Sequence, residues 1–543
     1  MKMVKSLILG SAAGLLAMGG AQAADLPVKA KPVEYVKICS LYGAGFFYIP
    51  GTDTCIKLGG YLRADVTFNG GIYDSPAWNG DIGQRNRFMD YFAARSRMAL
   101  TVDTRTATEY GVVRTFAQAD FQFSTLNNQS FNPATTSLAS PIGGTNLLDT
   151  VGGGYVAVEL VFLQFAGFTF GKSASAYSTP WHGYPGNNTS FLMGGNTNVT
   201  GVNNIQYSWQ FGNGVSATIG LDDPTVFNRT NVVNLNQPLT ATGSVANAYG
   251  GVHAPDIVGN IRVDQAWGLW QISAAGHDNN ASYNILNSSL INPLTGVGGA
   301  TAVFATAAPA GATGLAAAAP NNLSEISGHP TDKWGGSVMM ALQIKNIPWG
   351  AGDDIKMDAS WAKGDTKNVI ATDSTSPSFT MFGGSGFAYQ SIGFGATTDA
   401  VFLPAFQGGD GKLHLTEAWG FRGAYNHNWD PYWSSSLFGS YSAVSYDGTA
   451  KSNICTVYTI FRATVHSADY SCNPDFNVSQ LGFVTRWTPV KNLTFSGEVM
   501  WFHLDQKFTG SAILTPTAPK PTALYEYKDQ DAVSLNLRVQ RNF

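Results

Sequence analysis

Four arginines, Arg63, Arg95, Arg97 and Arg114, stand where polar and apolar residues alternate, and each falls on the polar parity. Cations gathered on one wet face can do the chemistry of ion handling, because fixed charge in a narrow aqueous passage sets which ions dwell there. Asp65, Asp103 and Asp120 share that parity, so for any one arginine a satisfied salt bridge competes with a role in selectivity. Downstream, Ser173 to Val202 contains Tyr177, Trp181, His182, Tyr184 and Phe191 but no Asp, Glu, Lys or Arg. A long loop without charge suits water poorly unless it packs; the competing reading is a simple exposed loop.

Other constellations fail on spacing. Gly167-Phe168-Thr169-Phe170-Gly171-Lys172-Ser173 has three residues between its glycines where a phosphate-binding loop needs four, and no helix pattern follows. The eight histidines show no H-E-x-x-H motif and no i, i+4 metal pairing. A nucleophile elbow needs a strand-to-helix turn, and the mature chain shows no helical periodicity. No catalytic residue, metal or cofactor is therefore expected. Cys39 with Cys55 and Cys455 with Cys472 form two local pairs. Beyond the inner membrane such pairs become disulfides; four cysteines allow three connectivities, and proximity favours the two local loops, each worth about 3 kcal/mol.

Strands must position these residues. From Ile56 to Phe68, Ile56, Leu58, Leu62, Ala64, Val66 and Phe68 alternate with Lys57, Tyr61, Arg63, Asp65 and Thr67. The parity continues over 91–103, ending in a turn near Thr106, and over 110–123. Asn213-Gly214, between alternating runs at 205–211 and 215–222, is the strongest hairpin signal in the chain. Further alternation over 155–164, 168–172, 256–264, 269–276, 333–345, 354–362, 415–426, 435–445, 477–487, 493–503 and 528–543 brings the expected count to sixteen strands. In the last of these, Val533, Leu535, Leu537, Val539 and Phe543 oppose Ser534, Asn536, Arg538, Gln540 and Asn542. One greasy and one wet face with no helix to cover them suit a wall between lipid and water. In lipid only a closed barrel satisfies strand backbones, and short turns alternating with long loops fit an outer-membrane barrel.

Composition and the N-terminus agree with this. Charged residues make up 13% of the chain, where soluble domains average about 25%. Residues 1–23 read as a secretory signal peptide: Lys2 and Lys5, an apolar core from Leu7 to Met18, and the small-x-small site Ala21-Gln22-Ala23. Cleavage takes the formal charge of −4 two units further negative, which gives no support to nucleic-acid binding. Residues 24–55 are expected to form an N-terminal periplasmic segment with a disulfide, and residues 56–543 the barrel. The Ala-rich run at 305–320 reads as a surface loop.

The stretch Cys39 to Arg63, C-S-L-Y-G-A-G-F-F-Y-I-P-G-T-D-T-C-I-K-L-G-G-Y-L-R, closely resembles the N-terminal signature of the alphaproteobacterial general porin family. Phe165-Ala166-Gly167-Phe168-Thr169-Phe170-Gly171-Lys172 resembles that family's approach to its constriction loop, and Arg538-Val539-Gln540-Arg541-Asn542-Phe543 its ending. Arg541 departs from the apolar parity usual in a barrel assembly signal. The resemblance implies an all-β transmembrane barrel whose third loop folds inward, a homotrimer in outer-membrane lipid and lipopolysaccharide, and passive diffusion of ions and small hydrophilic solutes. It also casts Phe543 as the assembly signal. The inward loop would give the eyelet a neutral, aromatic-lined side at Tyr177, Trp181, His182 and Tyr184, opposite Arg63, Arg95, Arg97, Arg114 and Asp120.

Other classes fit less well. An energy-coupled transporter needs a plug of a hundred or more residues before the first strand, and only 24–55 is at hand. An outer-membrane lipase needs a Ser/His pair on the barrel exterior, where His503 reads as an interfacial residue. A secreted β-rich adhesin shares the alternation but not the aromatic strand ends or Phe543. A channel preferring one substrate is the nearest alternative.

Overall fold

A computed structural model describes residues 37–70, 85, 91–124, 155–187, 192–196, 200–224, 229–235, 239–241, 243, 247–282, 329–370, 378–405, 408–516 and 520–543. The signal peptide, Phe191 and the Ala-rich run lie outside the described residues. The chain divides into two compact units, Met1–Ile56 and Lys57–Phe543. In the first, a Cys39–Cys55 disulfide with Cα atoms 6.0 Å apart closes a loop over Phe46, and the short strand Phe47–Tyr48 pairs with Ile56 and Cys55.

The second unit is a barrel. Its strands are β1 (Thr54–Phe68), β2 (Phe92–Thr108), β3 (Gly111–Ser124), β4 (Tyr155–Phe165), β5 (Phe168–Ser173), β6 (Val202–Gly212), β7 (Val215–Asp222) and β8 (Asp256–Gln265). They continue with β9 (Gly268–Asn279), β10 (Lys333–Lys345), β11 (Asp354–Lys363), β12 (Glu417–Asn428), β13 (Trp433–Ser445), β14 (Phe476–Val490), β15 (Leu493–Gln506) and β16 (Gln530–Asn542). Each strand pairs with its chain neighbours, and β16 returns antiparallel to β1, from Tyr61↔Asn542 to Phe68↔Leu535, so the ring of sixteen has no free edge. Phe543 seals the seam by exchanging two backbone hydrogen bonds with Gly60.

Period-two sequence gives each strand one apolar and one polar face, and closure decides which faces out. Val533, Leu535, Leu537 and Val539 of β16 are exposed while Ala532, Ser534, Asn536 and Arg538 are buried. Aromatic residues such as Trp267, Trp349, Trp429 and Trp433 stand exposed near the short turns, and Trp334, Trp361 and Trp419 near the other strand ends. Two aromatic girdles around an apolar band are what the two lipid–water interfaces demand.

The turns follow local chemistry. Asn213 (φ 49) and Gly214 (φ 74) both adopt the positive φ that a two-residue hairpin turn requires, as do Ala166 (φ 49) and Gly167 (φ 87). The sequence expectation was too short for β2, which runs to Thr108 and turns at Glu109-Tyr110. Its polar tail keeps ladder pairing from Thr104↔Thr115 to Thr108↔Gly111.

The expectation of no helix is also corrected. Gly448–Phe461 is an α-helix whose Asp447 side chain caps the Ala450 N–H. Its buried Ala450, Ile454, Val457 and Tyr458 keep helical spacing, and the Cys455–Cys472 disulfide ties it down. Burial works against ionisation of Asp447, but the Ala450 N–H and His414 outweigh it and hold the carboxyl below its usual range. Loop strands add a four-stranded sheet (Ser378–Gly383, Gln390–Ala396, Ala523–Tyr527, Ser511–Leu514) and a three-stranded one (His414–Leu415, Thr398–Phe402, Asn231–Asn234). These loops build one large apolar core with Phe379, Phe394, Tyr458, Phe508 and Tyr525, closed against the wall by Val444, Phe476, Phe502 and Leu504.

Candidate functional site

The inward parity of β1, β2 and β3 holds all four predicted arginines, and three of them are paired. Arg95 donates to both Asp65 oxygens at 3.1 and 2.7 Å, and Arg538 adds a third bond to the same carboxylate at 3.0 Å. Arg97 donates to Asp120 at 2.8 Å and Gln122 at 2.6 Å, with Glu159 4.0 Å away. Arg114 and Arg105 share Asp103 at 3.0 and 2.9 Å. Arg63 differs: it donates to Gln540 at 2.9 Å and forms no ion pair among the described residues. The arginine face is thus largely neutralised by its own aspartates rather than uniformly positive. Asp65, with two arginines, and Asp103, likewise, leave one cation over at each place; Asp120 with Glu159 leaves one anion.

The segment 173–202 carries no charge, yet it hydrogen-bonds to side chains around much of the ring. Asn260 of β8 donates to Ala176 O at 2.6 Å and Gln271 of β9 to Ser178 O at 2.8 Å. Tyr184 Oη donates to Asp358 of β11, and Arg422 of β12 donates to Leu192 O and Asn196 O at 3.2 and 2.9 Å. The Met193 N–H donates to Gln480 of β14 at 2.7 Å. At Asn187 the backbone N–H donates to Glu498 of β15, while Arg538 of β16 donates to its carbonyl at 2.7 Å. An uncharged loop can satisfy its backbone only by borrowing polar groups elsewhere; the wall supplies them.

Packing agrees. Trp181 and Tyr184 form a buried cluster with Leu192 and the wall residues Ala341, Ala424, Phe438, Val484 and Met500, while Tyr177 packs with Val258 and Met339. Only His182 of the predicted aromatic lining is exposed. Tyr177, Trp181 and Tyr184 therefore do not offer their rings to water, because apolar side chains of the strands give them a dry seat. Gly194 (φ +112) touches the wall so closely that a Cβ there would stand 2.7 Å from Phe421 O, and one on Gly420 would stand 2.5 Å from Gly194 Cα.

Sequence reasoning missed the anchor of this arrangement. Asp358 and Arg422 are cross-strand partners in the β11–β12 ladder, joined by bidentate bonds of 3.0 and 3.1 Å with both side chains wholly buried. Arg422 also lies 5.1 Å from the Tyr184 ring. Both residues sit on polar parity in segments read as strands, but only the register pairs them.

A closed ring with an apolar outside and a charged inside defines a transmembrane β-barrel. The chain matches the Porin subfamily model over residues 25–536, and it belongs to that family. Porin Omp2b of Brucella suis is 33% identical over 276 residues, 49% of this chain and 64% of that protein. Porin Omp2b of Brucella canis is 32% identical over 272 residues, 49% of this chain and 63% of its own. The matched region is thus under two thirds of these relatives' length. The outer membrane channel DcaP of Acinetobacter baumannii shares the fold with a TM-score of 0.52 at 13% identity, over 91% of this chain and 99% of that one. Family and barrel together make this an outer-membrane protein that crosses the bilayer many times.

Proposed function

We propose that the chain is a passive channel through which ions and small hydrophilic solutes diffuse across the outer membrane, with no enzymatic role. The observation that carries this reading is the sixteen-strand ring with apolar residues outward and the Asp65, Arg95, Arg97 and Asp120 groups inward, since sixteen to eighteen strands leave an aqueous lumen. In this reading the described residues of the segment 173–202 lie inside the lumen as the constriction, held by Asp358, Arg422, Gln480 and Glu498. Arg63, Arg95, Arg97, Arg114 and Asp120 form the charged wall that passing ions meet. Residues 1–23 act as a cleaved leader and 24–55 as a periplasmic segment. Resemblance adds a homotrimer embedded in lipid and lipopolysaccharide, and Phe543 as its assembly signal.

Liposome swelling with a graded series of sugars tests the reading. Purified protein should admit monosaccharides and exclude large oligosaccharides, with rates falling smoothly with size. Vesicles that stay osmotically tight to every sugar would refute it, and a rate set by sugar identity rather than size would favour a substrate-preferring channel.

A further inference from the structure

We propose that the loop-side mouth of the barrel carries a divalent transition-metal site, best matched to zinc, built from His253, Asp278 and Asp332. His253 comes just before β8, Asp278 lies at the end of β9, and Asp332 comes just before β10. Pairing of β8 with β9 through Ile257↔Gly276, and of β9 with β10 through Asn279↔Lys333, fixes the three backbones side by side. One ligand atom from each residue lies within 4.8 Å of the others. His253 Nδ1 and Asp332 Oδ2 stand 3.3 Å apart, close to the ~3.4 Å that separates two ligands on a tetrahedral ion with bonds of about 2.1 Å. Both of these side chains are exposed, so they can swing to close the remaining gap to Asp278.

A second observation points the same way. Asn280 is 2% exposed, and its Oδ1 has no hydrogen-bond partner among the described residues. Its carboxamide lies against the Asp278 carboxylate, Nδ2 3.5 Å from Oδ2. Asp278 is itself buried, and that long contact is the one hydrogen bond it accepts among the described residues. A buried carboxylate left this short of donors is costly; a cation beside Asp278 supplies what it lacks. One imidazole nitrogen with two carboxylates is a donor set for zinc and its first-row neighbours. Calcium and magnesium prefer oxygen alone. A bound ion would tie the residues ahead of β8 to those ahead of β10, joining two loops at the mouth.

Isothermal titration of the tag-free full chain, folded in detergent, with zinc chloride is the test. Wild type should bind one zinc per chain with micromolar affinity, unaffected by equimolar calcium. His253→Ala and Asp332→Asn, both at exposed positions, should each weaken it at least about tenfold while the barrel still migrates as folded protein. The near-isosteric Asp278→Asn should do the same should either of those variants fail to fold. Equal zinc affinity in wild type and the folded variants would overturn the site, and displacement of zinc by equimolar calcium would overturn its chemical class.

Discussion

Arg63 and the Arg95–Arg97 pair share a face but differ in what removing them exposes. Among the described residues Arg63 forms no ion pair, whereas Arg95 and Arg97 pair with Asp65 and Asp120. Arg63→Gln should shift the zero-current potential towards cations at 0.1 M salt, and the shift should vanish at 1 M as the screening length falls from about 10 Å to about 3 Å. The Arg95→Gln/Arg97→Gln double variant should shift in the same direction, by removing the spare cation at Asp65, which Arg538 still pairs, and by uncovering Asp120. It should also unfold at lower temperature, because breaking a buried pair costs about 3–5 kcal/mol. Unchanged potentials in both folded proteins would place these arginines off the ion path. That Arg95 and Arg97 face inward was legible in parity alone. The pairing of Asp358 with Arg422 was not, since it depends on strand register, which turns and long-range closure set together.

Among the elements, the segment 173–202 and the helix Gly448–Phe461 illustrate opposite lessons. The uncharged segment announced by its composition that it must pack, but not where its aromatic rings would go; the apolar residues of β10 and β12 to β15 with which they cluster decide that. Gly194 and Gly420 hold it against the wall, so Gly420→Val should push it away. Single-channel conductance should change while the barrel still resists SDS, and an unaltered conductance would refute the proposed placement. The helix was hidden because its apolar positions, Ala450, Ile454, Val457 and Tyr458, fall in a run too short to stand out from strand alternation. It depends on a cap and a disulfide. Asp447→Ala should loosen it by about 1 kcal/mol, seen as faster amide exchange at Lys451 and its neighbours. Because the folded carboxyl titrates below its unfolded value, the stabilisation is present above about pH 4 and lost as pH falls through the folded pKa. Wild-type exchange should therefore approach that of the variant on acidification; parallel pH profiles would argue against the cap.

For the whole molecule, sixteen strands and their facing were readable because lipid on one side and water on the other impose period two everywhere. Closure was readable only as a requirement, and the structure meets it at the β1–β16 seam, where Phe543 binds Gly60. Deleting Phe543 should lower the yield of folded, membrane-inserted protein several-fold, while Phe543→Ala, which keeps the backbone bonds, isolates the ring's share. Full yield after deletion would mean that the seam closes without it. Both results concern assembly, not passage of solutes. Planar-bilayer recording of the purified protein tests it most directly. A diffusion channel gives stepwise, long-lived openings with near-ohmic current and weak ion preference, whereas a folded barrel that inserts yet passes no current would rule one out.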